Sequence, residues 1–132
     1  MTTTETAGPG PGYIAHPEHT VTLSHDGKRV RVIFNGETIA ETGAAITLHE
    51  ASYAPVYYLP RGDVRAEVLS RTDHSTHCPF KGDASYWSIA VGDKSSENAV
   101  WSYERPFDEV AEIKDHMAFY ANRMDEIAVT DA

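Results

Sequence analysis

Hydrophobic and polar residues alternate from residue 28 onward. In KRVRVIF, Val30, Val32 and Phe34 fall on one face and Arg29 and Arg31 on the other. A period of two predicts a half-buried strand. Asn35-Gly36 follows, then ETIAET; both turn residues accept the positive φ of a type I′ turn, so a two-residue hairpin is predicted. AITLHE and PVYYLP read as further short strands bounded by turn formers or proline. PRGDV reads as a tight turn, and RAEVLSR is compatible with a strand or a helical turn. ASYWSIAV is predicted to be a strand, GDKSSEN a polar loop, and AVWSYERP the strand returning beside ASYWSIAV. PFDEVAEIKDH carries a helical start, with Asp108 as N-cap and Val110 and Ile113 three apart. MAFYANRMDEIAV has helical propensity, but the adjacent Phe119 and Tyr120 suit a closing strand, which is the reading adopted. The elements sum to a mainly β chain, one antiparallel β domain with one or two short helices.

Length and charge narrow the picture. At 132 residues the chain has the size of one domain. Residues 1–13 are rich in Thr, Gly and Pro and read as a flexible tail; 14–132 form the domain. That tail has neither the basic start nor the apolar run of an export signal, and no stretch approaches a membrane span. A single cysteine excludes an intramolecular disulfide and a four-cysteine zinc site, so a reducing, cytoplasmic setting is expected. Eleven basic residues against twenty acidic ones give a net charge of −9, with the basic residues scattered. Nucleic acid is therefore not an expected partner, nor is a membrane.

FNGETIAET, EASYAPVYYLPRGDV, THCPFKGDASYWSI, AVWSYERP and MAFYANRMDEI follow one another in an order and spacing that resemble the bacterial family catalogued as Domain of Unknown Function 427. The likeness runs from about Val30 to Ile127. It implies a β-tent arrangement similar to Mss4-type and methionine sulfoxide reductase B-type folds. Several such relatives hold zinc through paired-cysteine loops, which Cys78 alone cannot supply, so no structural zinc is implied here. A nucleotidyltransferase label has circulated for the family, but the chain has no Gly-rich phosphate loop and no basic cradle.

The candidate chemistry centres on HCPFKGDASYW, residues 77–87. Pro79 fixes its own φ and drives Cys78 towards an extended conformation, and Gly82 permits a positive φ or a close backbone approach. The stiff bend presents Cys78 and Lys81. As a catalytic reading, Cys78 is a nucleophile, Lys81 favours its thiolate, and His77 carries the proton. The plainer alternative is a small buried cysteine with Lys81 paired to a carboxylate. Asp73, His74, His77 and Cys78 lack a second ligand segment, and HEASY at 49–53 fails the HExxH pattern at Tyr53, so no metal or other cofactor is expected.

The aromatics point elsewhere. Eight of thirteen lie between Tyr53 and Tyr103. Trp87, Ile89 and Val91 share the core face of ASYWSIAV, while Tyr86 on the other face is flanked by the small Ala84, Ser88 and Ala90, predicting open space. That space suits a ligand, a second layer of the same chain, or a second subunit. Tyr57 and Tyr58 point oppositely; Trp101 and Tyr103 share a face. The expected site is a small-molecule pocket with Tyr57, Tyr58, Tyr86, Trp101 and Tyr103 as walls and Glu50 and Lys81 as orienting charges. A homodimer through the aromatic face is the further alternative.

Overall fold

A computed structural model describes residues 6–131. Ten strands form two antiparallel sheets among the described residues. They are β1 (Val21–Ser24), β2 (Lys28–Phe34), β3 (Glu37–Thr42), β4 (Ile46–Glu50) and β5 (Val56–Pro60), then β6 (Leu69–Cys78), β7 (Gly82–Val91), β8 (Lys94–Tyr103), β9 (His116–Phe119) and β10 (Glu126–Asp131). The larger sheet has the order β1-β4-β5-β9-β8-β7-β6, the smaller β10-β2-β3. The fold class is mainly β, as the alternation predicts. No helix among the described residues is long and apolar enough to cross a membrane.

The β2–β3 hairpin turns at Asn35 and Gly36, with φ of +50° and +78°, as a type I′ turn requires. Asn35 Nδ2 also donates to Val91 O (2.9 Å), tying this turn to the larger sheet. Val30, Val32 and Phe34 are fully buried and pack against Trp87, Ile89 and Val91 in the core between the sheets.

β7 is buried on both faces. Trp87 joins the inter-sheet core, whereas Ala84 and Tyr86 join a second cluster with Ile46, Tyr58, Tyr103, Val110 and Ile113. Ile46 lies in β4, separated from β7 by three intervening strands, so the sheet curls round this cluster. The space expected opposite Tyr86 is thus filled by a second layer of the same chain.

Three local expectations are revised. GDKSSEN is not a loop: Gly92 (φ +60°) and Asp93 make a tight turn, and Lys94 already pairs with Val91. Its polarity reflects an exposed strand end rather than missing structure. Asp108–Ile113 is a 3-10 helix without a side-chain cap bond, and Asp108 Oδ1 instead accepts from Thr6 Oγ1. The MAFYANRMDEIAV segment holds two strands, β9 and β10, separated by the 3-10 turn Ala121–Arg123.

Within the segment read as a tail, residues 1–5 lie outside the described residues. Ala7 N–H donates to Pro106 O (3.0 Å) and Gly12 N–H to Pro79 O (3.0 Å), so residues 7–12 run along the body. A Cβ at Gly12 would meet Pro79 O at 2.9 Å, so that contact depends on glycine.

Candidate functional site

Four residues turn β6 into β7. Cys78 O accepts from Lys81 N–H (3.3 Å), with Pro79 at the position where its fixed φ favours a β-turn. Gly82 follows at φ +117°, and an added Cβ would lie 3.1 Å from Arg105 O. This close approach lets Phe107 N–H donate to Lys81 O (3.0 Å). Phe80 is buried, its ring 4.3 Å from that of His19 and edge-on to Tyr13.

The bend delivers Lys81 to Glu50. Lys81 Nζ lies 2.9 Å from Glu50 Oε1, and His19 Nε2 lies 2.8 Å from Glu50 Oε2. The three side chains are 15%, 16% and 23% exposed, and they come from three separate segments. Burial raises the Glu50 pKa, but hydrogen bonds from Lys81 and His19 outweigh it and leave the carboxyl below its usual range. Glu50 is therefore a carboxylate at neutral pH. Burial, helped by the charges of Glu109, Cys78 and Glu50, pushes the nearby Tyr13 up to about 12, so its hydroxyl stays protonated and donates to Phe80 O (2.7 Å).

Two of the three residues of the cysteine reading have other partners. Cys78 packs, partly buried, against the second cluster, whereas His77 projects from the opposite face of β6 with Nδ1 2.7 Å from Asp83 Oδ1. Lys81 is committed to Glu50. Among the described residues no three His, Cys, Asp or Glu side chains gather as a metal site.

The aromatic residues also divide. Tyr58, Tyr86 and Tyr103 are buried in the second cluster. Tyr86 OH meets Thr76 Oγ1 at 2.9 Å and Tyr120 OH at 3.4 Å. Trp101 donates its indole N–H to Tyr58 OH (3.2 Å) and lays its ring 4.5 Å from that of Tyr120. Tyr57 and Trp101 face a cavity instead.

That cavity arises from an interrupted ladder. β5 and β9 pair only at Leu59–Met117 and Pro60–His116. Continuing that register would bring Tyr57 opposite Phe119; instead the strands part, and both residues line a slot of about 490 Å³. Pro55 and Val56 form its β5 side, Trp101 and Tyr120 its β8–β9 side, and Val32 and Ile127 of the smaller sheet its floor. β4 still pairs with β5 and β8 with β9 on the flanks. The slot is a rift within one sheet, framed by intact ladders.

The DUF427 family profile, a domain of unknown function, matches residues 22–130. The chain belongs to that family. No curated protein is significantly similar in sequence to this DUF427 domain. The match spans all ten strands except part of β1 and the last residue of β10, so slot and bend both lie within the family domain. His19 lies outside it.

Two features of the site have no local signal in the sequence. His19 is one of seven scattered histidines, and its pairing with Glu50 spans 31 residues. Tyr120 and Phe119 become cavity walls only through the parting of β5 and β9.

Proposed function

We propose that this DUF427 domain binds a small, flat, mainly apolar molecule in the slot between β5 and β9. The observation that carries the reading is the early end of the β5–β9 ladder, which leaves about 490 Å³ lined by Tyr57, Leu59, Trp101, Phe119 and Tyr120. Small-molecule pockets typically run from about 300 to 1,000 Å³, mostly apolar with few polar groups. The polar groups of the lining include the Tyr57 hydroxyl and, beside Trp101, the hydroxyl of Tyr120. Its 3.4 Å contact to Tyr86 OH is long, so it is available to turn towards a ligand hydroxyl or carbonyl. The Trp101 N–H is already engaged, which fixes the indole as a rigid wall. Aromatic rings offer offset or edge contacts on both sides of a planar guest.

This places the ligand away from the Cys78–Gly82 bend. Lys81 and Glu50 satisfy each other and hold that bend against β4. The catalytic reading of Cys78 has less support, since His77 and Lys81 both have other partners. The homodimer reading loses its motive where Tyr58, Tyr86 and Tyr103 are buried within one chain.

Titration of ¹⁵N-labelled protein with indole tests the proposal. Saturable shifts are expected at the Trp101 side-chain N–H and at Tyr57 and Tyr120, and Ala54→Trp, which fills the slot mouth, should abolish them. Shifts elsewhere, or equal shifts in the filled variant, would refute it.

A further inference from the structure

Over Trp87, a member of the inter-sheet core, lie two guanidinium groups. Arg61 Cζ lies 4.9 Å and Arg71 Cζ 5.1 Å from the Trp87 ring centroid. Arg61 opens the turn after β5, and Arg71 comes from the edge strand β6. Both reach the same carboxylate. Arg71 grips Glu104 through two bonds, Nη1 to Oε2 (3.0 Å) and Nη2 to Oε1 (2.8 Å), and Ser85 Oγ donates to Oε1 as well (3.0 Å). Glu104 is thereby satisfied without Arg61, whose Nη1 contact at 3.4 Å is the longest of the set.

Two cations share one anion over the Trp87 ring, in a chain of net charge −9. Beside the recess wall Ala66, Arg65 is paired with both Glu37 and Glu67 and so is not free to bind a further anion. Arg61 Nε and Nη2 have no hydrogen-bond partner among the described residues. Beside them is a recess of about 220 Å³ whose remaining walls are Val64, Ala66 and Leu69. A guanidinium fork matches a carboxylate with two parallel bonds, and stacking on the indole holds the fork in plane. Val64, Ala66 and Leu69 offer a hydrocarbon tail an apolar contact that inorganic phosphate cannot use.

We propose that Arg61, backed by Arg71 and Trp87, binds a small organic monocarboxylate, with its short aliphatic part against Val64, Ala66 and Leu69. The unpaired fork of Arg61 and the recess size agree on this class. The site is distinct from the slot, and either stands without the other.

The test is titration of the full chain with sodium butyrate at constant ionic strength, following the Arg61 Nε–H and Trp87 indole N–H signals. Sodium phosphate, sodium chloride and 1-butanol are run in parallel. Butyrate should shift both signals saturably, and phosphate and butanol should bind at least tenfold more weakly. Arg61→Gln and Arg61→Lys should each weaken butyrate at least tenfold, Lys because it keeps the charge and loses the fork. Ala66→Leu, at an exposed position, should block binding with both arginines intact. No saturable shift overturns the proposal, as does butanol or phosphate matching butyrate, or undiminished binding by both Arg61 variants. Should an Arg61 variant not fold, Ala66→Leu decides alone: retained butyrate binding refutes the site.

Discussion

Lys81 Nζ and Glu50 Oε1 lie 2.9 Å apart with both side chains about five-sixths buried, and His19 holds the second carboxylate oxygen. The pair fastens the β6–β7 bend to the end of β4, across 31 residues of chain. Breaking a buried pair strands the surviving charge, which costs more than the pair itself contributes. Lys81→Met should therefore destabilise the fold by roughly 3 kcal/mol, towards the lower end for buried pairs because some solvent reaches this one. Urea unfolding of Lys81→Met, Glu50→Gln and the double variant tests it. The double variant should lose less than the sum of the two single changes.

Glu104 sets an acid limit. Hydrogen bonds led by that from Arg71 overcome burial and hold its pKa at about 2. A carboxyl whose folded pKa lies below its unfolded value of about 4.3 contributes stability that is complete above that value. The contribution fades as pH falls towards about 2. Unfolding free energy should decline across this window, and Glu104→Gln should be less stable at pH 7 with a shallower decline below pH ~4.3. An unchanged slope in the variant contradicts the assignment.

Ser102 is fully buried in β8, and its Oγ has no hydrogen-bond partner among the described residues. An unpaired buried hydroxyl is a cost that an apolar replacement removes. Ser102→Ala should leave stability unchanged or raise it by up to about 1 kcal/mol. A loss greater than that, measured by thermal or urea unfolding, would show that the hydroxyl has a partner.

Gly82 combines φ of +117° with an added-Cβ distance of 3.1 Å to Arg105 O. Gly82→Ala should cost about 1–3 kcal/mol through backbone strain alone. The same change at Gly62, where a Cβ meets open space and φ is not positive, should cost little. Equal melting temperatures for the two variants would contradict this.

What the sequence made legible was local. Asn35-Gly36 dictates its own turn, and the alternation in residues 30–34 and 84–91 places Val32 and Trp87 on the inter-sheet core without reference to distant chain. Tyr86 is buried by residues its own strand does not reveal: it shares a cluster with Tyr58, Val110 and Ile113, more than 20 residues away on either side, and the His74 ring of β6 packs edge-on against it. Glu50 and Lys81 each stood out as charges beside aromatic strands, but their bond to each other depends on how the sheet curls. The slot was least legible of all. Alternation reports which face a residue takes, never where two strands stop pairing, and the gap after Leu59 and Met117 follows from the sheet as a whole.

The most direct measurement is a crystal grown with 5-bromoindole and examined for anomalous scattering from bromine. A peak among Tyr57, Trp101 and Tyr120 is the predicted result, with the ring lying between the parted strands β5 and β9. A protein that shows β5 and β9 paired through Tyr57 and Phe119, with no bromine between them, would contradict the account.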